Sequence, residues 1–142
     1  MAAQAIKSDR LPIRASEDVV TVRQSVRKAA LELGLSLVDQ TKVVTAASEL
    51  ARNALVHGGG GTVRVEAVTS DHGRSGVRIG FTDDGPGIAD VDLALTDGWT
   101  SGDGLGLGLS GARRLVDEFE LTSKPGSGTS VVVVKWSRLA GR

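Results

Sequence analysis

Thr62-Val-Arg-Val-Glu-Ala-Val-Thr-Ser-Asp-His-Gly-Arg-Ser-Gly-Val-Arg-Ile-Gly-Phe81 is the stretch on which the fold turns. Apolar and polar residues alternate over Thr62 to Val68 and again over Val77 to Phe81, so each run has one face to bury and one to wet. The turn-rich residues Thr69 to Gly76 lie between them. Two antiparallel strands joined by a hairpin are predicted.

Upstream the apolar period lengthens. Val19, Val22, Val26, Ala29, Ala30 and Leu33 recur at helical spacing, with Ser16 as the expected N-cap, Glu17 and Asp18 in the first turn and Gly34 as the stop. A second helix begins at a capping-box-like Ser36 and Asp39, runs through Val43, Ala46, Ala47, Leu50, Ala54 and Leu55 to His57, and ends in Gly58 to Gly61. Before both lies Leu11 to Ala15, a short strand-like segment that Pro12 assigns to a sheet edge.

Downstream, Ile88 to Gly108 holds one short helical candidate, Val91 to Leu95, and is longer than an ordinary connection. Loops of that length act as lids or binding loops. Leu109 to Phe119 is predicted as a third long helix, Glu120 to Ser123 as a strand and Thr129 to Trp136 as a β-branched closing strand. Helices followed by strands mixed with helices define an α+β class: a two-layer sandwich of a mixed, largely antiparallel sheet covered by helices.

Composition narrows the functional classes. A chain of 142 residues is about one domain, so separate substrate and cofactor lobes are excluded and residues 1–142 are expected to form a single domain with a core at about 11–136. Seventeen basic and 17 acidic residues cancel, which removes the field expected of a nucleic-acid or membrane binder. With no cysteine, disulfide scaffolds, thiol nucleophiles and cysteine-ligated metals are excluded. The N-terminus reaches Lys7 before any signal-length apolar stretch, and the longest aliphatic run is Val131 to Val134; a cytoplasmic protein without a membrane partner is expected. Two Trp, two Phe and no Tyr leave an aliphatic core.

Several clusters could carry chemistry. Glu49 and Asn53, four apart on the second helix, share a face and can reach one ligand. A nucleotide-bound Mg²⁺ takes most of its ligands from phosphate and water, so one Asn oxygen suffices from the protein, and a nearby carboxylate can take a proton from an attacking hydroxyl. The same pair could equally be two solvated residues on an exposed helix face. His57 fits the last helical turn through the helix dipole, without a catalytic role.

Asp83-Asp-Gly85-Pro-Gly87 follows a strand; it is either a plain turn or a site where Asp83 accepts a hydrogen bond from the amino group of adenine while glycine lets the base lie close. Gly104-Leu-Gly-Leu-Gly-Leu-Ser-Gly111 opens a helix, and its amides offer a cradle for phosphate oxygens. Gly106, Gly108 and Gly111 also match a dinucleotide fingerprint, but no strand immediately precedes them; a P-loop fails because no Lys-Ser or Lys-Thr follows either glycine cluster. Gly126-Ser-Gly-Thr129 is a hairpin turn entering a strand.

Taken in order, Glu49…Asn53…His57, Asp83-x-Gly85-x-Gly87, Gly104-Leu-Gly-Leu-Gly108 and Gly128-Thr129 resemble the four boxes of the GHKL (Bergerat-fold) ATPases. Within that superfamily, Ala47-Ser-Glu-Leu-Ala-Arg-Asn-Ala54, Asp97-Gly-Trp-Thr-Ser101 and Gly111-Ala-Arg-Arg-Leu-Val-Asp-Glu-Phe-Glu-Leu121 are similar to the switch-protein serine/threonine kinases that work with stressosome STAS-domain proteins. The likeness runs from Leu11 to Trp136. It implies ATP and Mg²⁺ as cofactors, Glu49 as general base, Asn53 as Mg²⁺ ligand and Asp83 as adenine reader, with Gly85 and Gly87 in its loop. It further implies Gly104, Leu105, Gly106, Leu107 and Gly108 as lid amides over the phosphates, and Thr129 as a supporting contact. The implied partners are a STAS-domain antagonist (RsbS/RsbR-like), phosphorylated on serine or threonine, and a metal-dependent serine/threonine phosphatase (RsbU-like) that the released kinase binds and activates. Two features depart from that pattern: Ser110, where proline is common, and the four glycines after His57, which stand beside the expected phosphate site. A nucleotide-dependent binding switch of the anti-sigma kind, with the first helix as partner surface, and a simple ATP hydrolase are the competing functions. A sensor histidine kinase would need a further helical hairpin carrying its phosphoacceptor.

Overall fold

The computed structural model describes residues 4–88, 91–95 and 108–138. In chain order these form β1 (Gln4–Ile13), α1 (Ser16–Glu32), α2 (Leu37–Val56), β2 (Gly61–Thr69), β3 (Ser75–Asp83), α3 (Val91–Ala94), α4 (Gly108–Arg114), β4 (Glu118–Ser123) and β5 (Thr129–Trp136). The five strands make one sheet in the order β1-β2-β3-β5-β4, with every pairing antiparallel. The helices α1 and α2 cover one face, and the two-layer α+β sandwich expected from the sequence is the architecture found.

The predicted hairpin is β2 and β3, paired in unbroken register from Gly61↔Asp83 to Thr69↔Ser75. Val63, Val65, Val77, Ile79 and Phe81 turn to the helices and are buried. On the open face Arg78 pairs with Glu66 at 2.8 Å, directly across the two strands. The core they join, with Val22, Val26, Val43 and Val133, is aliphatic apart from Phe81. No helix among the described residues is long and apolar enough to cross a membrane.

Three expectations are corrected. Ser16 is the first helical residue of α1, and the cap position falls to Ala15; the Asp18 carboxylate takes over by accepting from the N–H groups of Arg14 and Ala15 at 2.8 and 3.0 Å. The first strand reaches back from Ile13 to Gln4, because backbone pairing with β2 outweighs its mostly exposed side chains. The third helix ends at Arg114 rather than Phe119. Asp117 N–H donates to the Val134 carbonyl at 2.9 Å, and from Glu118 onward the chain pairs with β5, so exposed Glu118, Glu120 and Thr122 alternate with half-buried Phe119, Leu121 and Ser123.

The start of α2 is anchored by charge. Ser36 Oγ accepts from Asp39 N–H at 3.1 Å as the sequence predicts, but the Asp39 carboxylate is itself buried. It meets Arg138 Nε at 2.8 Å and Lys135 Nζ at 3.6 Å, and Lys135 also meets Asp117 at 3.3 Å. These contacts tie α2 to the end of β5. The Arg138 hydrogen bond, reinforced by the charges of Lys135 and Arg138, outweighs burial and holds the Asp39 carboxyl below its ordinary value.

Asp39 is thus more acidic folded than unfolded, and its stabilisation is fully present above the ordinary value of 3.8 and lost as pH falls through the lower folded value. Replacing Asp39 with Asn is expected to lower stability at pH 7 by about 2 kcal/mol, because Lys135 keeps only Asp117 and Arg138 is solvent-screened. Urea titrations of both proteins at pH 7 and pH 3 check this: the gap between them should shrink at the lower pH.

Candidate functional site

The last two turns of α2 carry the first cluster. Glu49 and Asn53 project from one face, about 6 Å apart along the axis. Glu49 is 5% exposed, and neither oxygen of its carboxylate is idle: Oε2 accepts from Gly108 N–H at 3.3 Å and Oε1 lies 3.5 Å from Arg52 Nη1. The buried carboxylate therefore sits at the first residue of α4, where the glycine-rich run enters its helix. A buried, ionisable oxygen facing a backbone amide is a suitable proton acceptor once a hydroxyl replaces that amide.

Asn53 is half-buried, and its carbonyl accepts from His57 N–H at 2.9 Å and Gly58 N–H at 3.3 Å, closing the helix. His57 occupies the C-cap, in keeping with a helix-end role.

The chain then crosses Asp83. A Cβ on Gly58 would overlap the Asp83 carboxyl group, and a Cβ on Gly85 would lie 2.6 Å from the Gly58 Cα. Glycine at both points lets two backbones and a carboxylate meet. The four-glycine run thus begins against the Asp83 loop. Asp83 Oδ1 accepts from Gly85 N–H at 2.9 Å, which shapes the Asp-x-Gly turn. Gly87 adopts φ 78°, and its position against the Lys124 carbonyl leaves no room for a side chain.

Thr129 opens β5 directly opposite Asp83 in the sheet register, so both side chains point to the helical face at one strand end. Gly128 before it has φ 77° and packs on the Asp83 carbonyl. Asp83, Gly85, Gly87 and Thr129 are brought together, while Glu49 and Gly108 form a second cluster; Asn53 and Gly58 bridge the two along the chain. Gly104, Leu105, Gly106 and Leu107 lie outside the described residues, as does Asp97-Gly-Trp-Thr-Ser101.

Two participants carried no sequence signal. Arg52 is the sixth residue of the helical run Ala47-Ser-Glu-Leu-Ala-Arg-Asn53, and only side-chain geometry shows that it meets Glu49. Ser123 ends β4, and its Oγ accepts from Ile88 N–H at 2.8 Å while meeting the Gly128 carbonyl at 2.9 Å and Thr129 Oγ1 at 2.8 Å. One hydroxyl ties the Asp83 loop to the start of β5. An alternating Phe119, Leu121, Ser123 face, once Phe119 is placed in a strand, would have shown its direction.

Among the described residues no group of three or more His, Asp or Glu side chains is gathered as a metal cage. The donor set fits a cation that arrives with its own phosphate ligands, for which Asn53 offers one amide oxygen.

An antiparallel sheet under helices, with a Glu/Asn helix face beside an Asp-Gly loop, defines a nucleotide-binding domain of the GHKL kind. Residues 38–138 match the family described as histidine kinase-, DNA gyrase B- and HSP90-like ATPase, and the chain belongs to that family. It is similar to serine/threonine-protein kinase RsbT of Bacillus subtilis (strain 168), 46% identical over 121 residues that cover 85% of this chain and 90% of that protein. Anti-sigma F factor of Clostridium beijerinckii is 31% identical over 127 residues, covering 84% of this chain and 87% of that one.

Among solved structures, the RsbU and RsbW domains of a Mycobacterium tuberculosis protein superpose with a TM-score of 0.64 at 24% identity over 95% of this chain. Full-length ShkA in complex with AMPPNP superposes with a TM-score of 0.55 at 22% identity over 97% of it. This chain spans 33% of each of those longer chains. At such identities the likeness establishes the fold.

Proposed function

We propose that this chain is an ATP- and Mg²⁺-dependent serine/threonine protein kinase that phosphorylates a STAS-domain antagonist and, once released, binds and activates a metal-dependent phosphatase in a cytoplasmic stress-response switch. It acts as a single domain. The observation that carries the reading is the buried Glu49 carboxylate held at the entrance of α4, one helical turn from Asn53. The 46% identity to a protein named as a serine/threonine kinase supports the choice of acceptor chemistry.

The residues divide the work. Asp83 accepts from the base amino group, Thr129 adds a contact beside it, and the Gly104 to Gly108 amides take phosphate oxygens. Asn53 contributes an oxygen to Mg²⁺, which when bound offsets the charge on the transferring phosphoryl group. Glu49 takes the proton of the acceptor hydroxyl as its oxygen bonds to the γ-phosphorus; the bond from that phosphorus to the bridging oxygen breaks, and ADP carries the electron pair away.

A competing function has its own support in the 31% identity to an anti-sigma F factor: a nucleotide-dependent switch that sequesters a protein partner. Incubation with labelled ATP, Mg²⁺ and a STAS-domain protein encoded beside this chain separates the two. Label is expected on a serine or threonine of the STAS protein. Stable complex formation with a sigma factor and no transfer would overturn the kinase assignment.

A further inference from the structure

We propose that Ser123 is a positioning residue that fixes Thr129 as a hydrogen-bond acceptor and thereby selects a nucleobase bearing an exocyclic amino group; this rests on the nucleotide reading of the site above. The reasoning is an account of hydrogens. A serine hydroxyl has one hydrogen to give and two lone pairs to receive with. Gly128 is buried, and its carbonyl needs a donor; Ser123 Oγ stands 2.9 Å from it and supplies one. Ile88 N–H, at 2.8 Å, takes one of the two lone pairs. The remaining contact, 2.8 Å from Ser123 Oγ to Thr129 Oγ1, must then run from Thr129 to Ser123.

The Thr129 hydrogen is consequently committed away from the site, and Thr129 offers only lone pairs to anything bound there. Asp83, its partner across β3 and β5, has acceptors only as a carboxylate. Two acceptors on one sheet face at neighbouring positions suit the two hydrogens of a single amino group. An oxo group in the same place would set three lone-pair-bearing atoms against one another, with no hydrogen between them. Base selectivity therefore depends on a strand-end serine that need not touch the ligand.

The test compares adenosine diphosphate with inosine diphosphate, which carries oxo where adenosine carries amino, by calorimetry with Mg²⁺ present. Wild type should prefer the adenosine nucleotide. S123A frees the Thr129 hydroxyl to turn and donate, so the preference should fall by about tenfold, the worth of one neutral hydrogen bond. S123T, which keeps the hydroxyl, should restore the preference. In a T129V background S123A should no longer change the ratio. If S123A is not folded by circular dichroism, T129V alone decides: adenosine diphosphate should lose about tenfold more affinity than the inosine nucleotide. An unchanged ratio in S123A, a ratio shift that persists without the Thr129 hydroxyl, or an equal loss for both nucleotides in T129V overturns the proposal while leaving the nucleotide site standing. Failure of wild type to bind either nucleotide overturns the underlying reading.

Discussion

Replacing Glu49 with Gln is expected to lower phosphoryl transfer about a thousandfold in kcat while changing nucleotide affinity less than threefold. The substitution keeps size and shape. A Gln oxygen can still accept from Gly108 N–H as Oε2 does at 3.3 Å, so the α2 to α4 contact survives and folding should be retained. What disappears is the ability to take a proton. A carboxylate that accepts the acceptor hydroxyl's proton in the transition state is worth about 10²- to 10⁴-fold, and the whole of that loss falls on the chemical step. Arg52, 3.5 Å from Oε1, would face a neutral amide, a small effect for a side chain that is half exposed. Rapid-quench measurement of a single turnover gives the chemical rate apart from product release. A rate within tenfold of wild type would remove Glu49 from the role of base and leave it a buried tie between two helices.

Local periodicity carried far into this fold, and it failed where a distant strand decides. The β2 and β3 hairpin was legible because each strand shows a buried and a wet face, and α2 because Ser36 caps it and its apolar residues keep a single period over Leu37–Val56. The end of α4 was not. Leu115, Val116 and Phe119 fit a helical stripe as well as Phe119 and Leu121 fit a strand, and pairing with β5 settles the matter. The front of β1 was hidden for a related reason: Lys7, Ser8, Asp9 and Arg10 are all exposed, so no alternation marks a segment held by backbone pairing.

Within the candidate site, Glu49, Asn53, Asp83, Gly85, Gly87, Gly108 and Thr129 are singled out by the family resemblance their ordered motifs carry, spacing alone leaving each open, and in the structure they form two clusters joined along the chain by Asn53 and Gly58. Ser123 and the Asp39 to Arg138 anchor could not be singled out in that way, since one depends on contacts to Ile88, Gly128 and Thr129 from two loops and a strand start, and the other spans 99 residues. Ser16 shows the limit of a cap assigned by residue type alone, because the side-chain hydrogen bonds at this helix start come from Asp18, which accepts from Arg14 and Ala15 N–H ahead of the helix and not from the amides a Ser16 cap would have served.

Exchange of Asp83 for Asn should weaken adenosine diphosphate binding about a hundredfold and nearly abolish the preference over inosine diphosphate. Asn has the outline of Asp but one oxygen and one amino group. If the oxygen continues to accept from Gly85 N–H, as Oδ1 does at 2.9 Å, the new amino group faces the amino group of adenine, donor against donor. Turning the amide serves the base, and then sets the same group against Gly85. Either orientation leaves a desolvated donor without an acceptor, at a cost of about 1–3 kcal/mol, and the loss of the charge-assisted bond adds to it. The pocket wall is too tight to relax by shifting, because Gly58 presses on the Asp83 carboxyl group and Gly128 on its carbonyl. The inosine nucleotide, whose oxo group faces only acceptors in wild type and accepts from the Asn amino group in D83N, should gain affinity. Calorimetry on both nucleotides reads the two effects in one series. Equal affinity of D83N and wild type for adenosine diphosphate would place the base elsewhere than against this carboxylate.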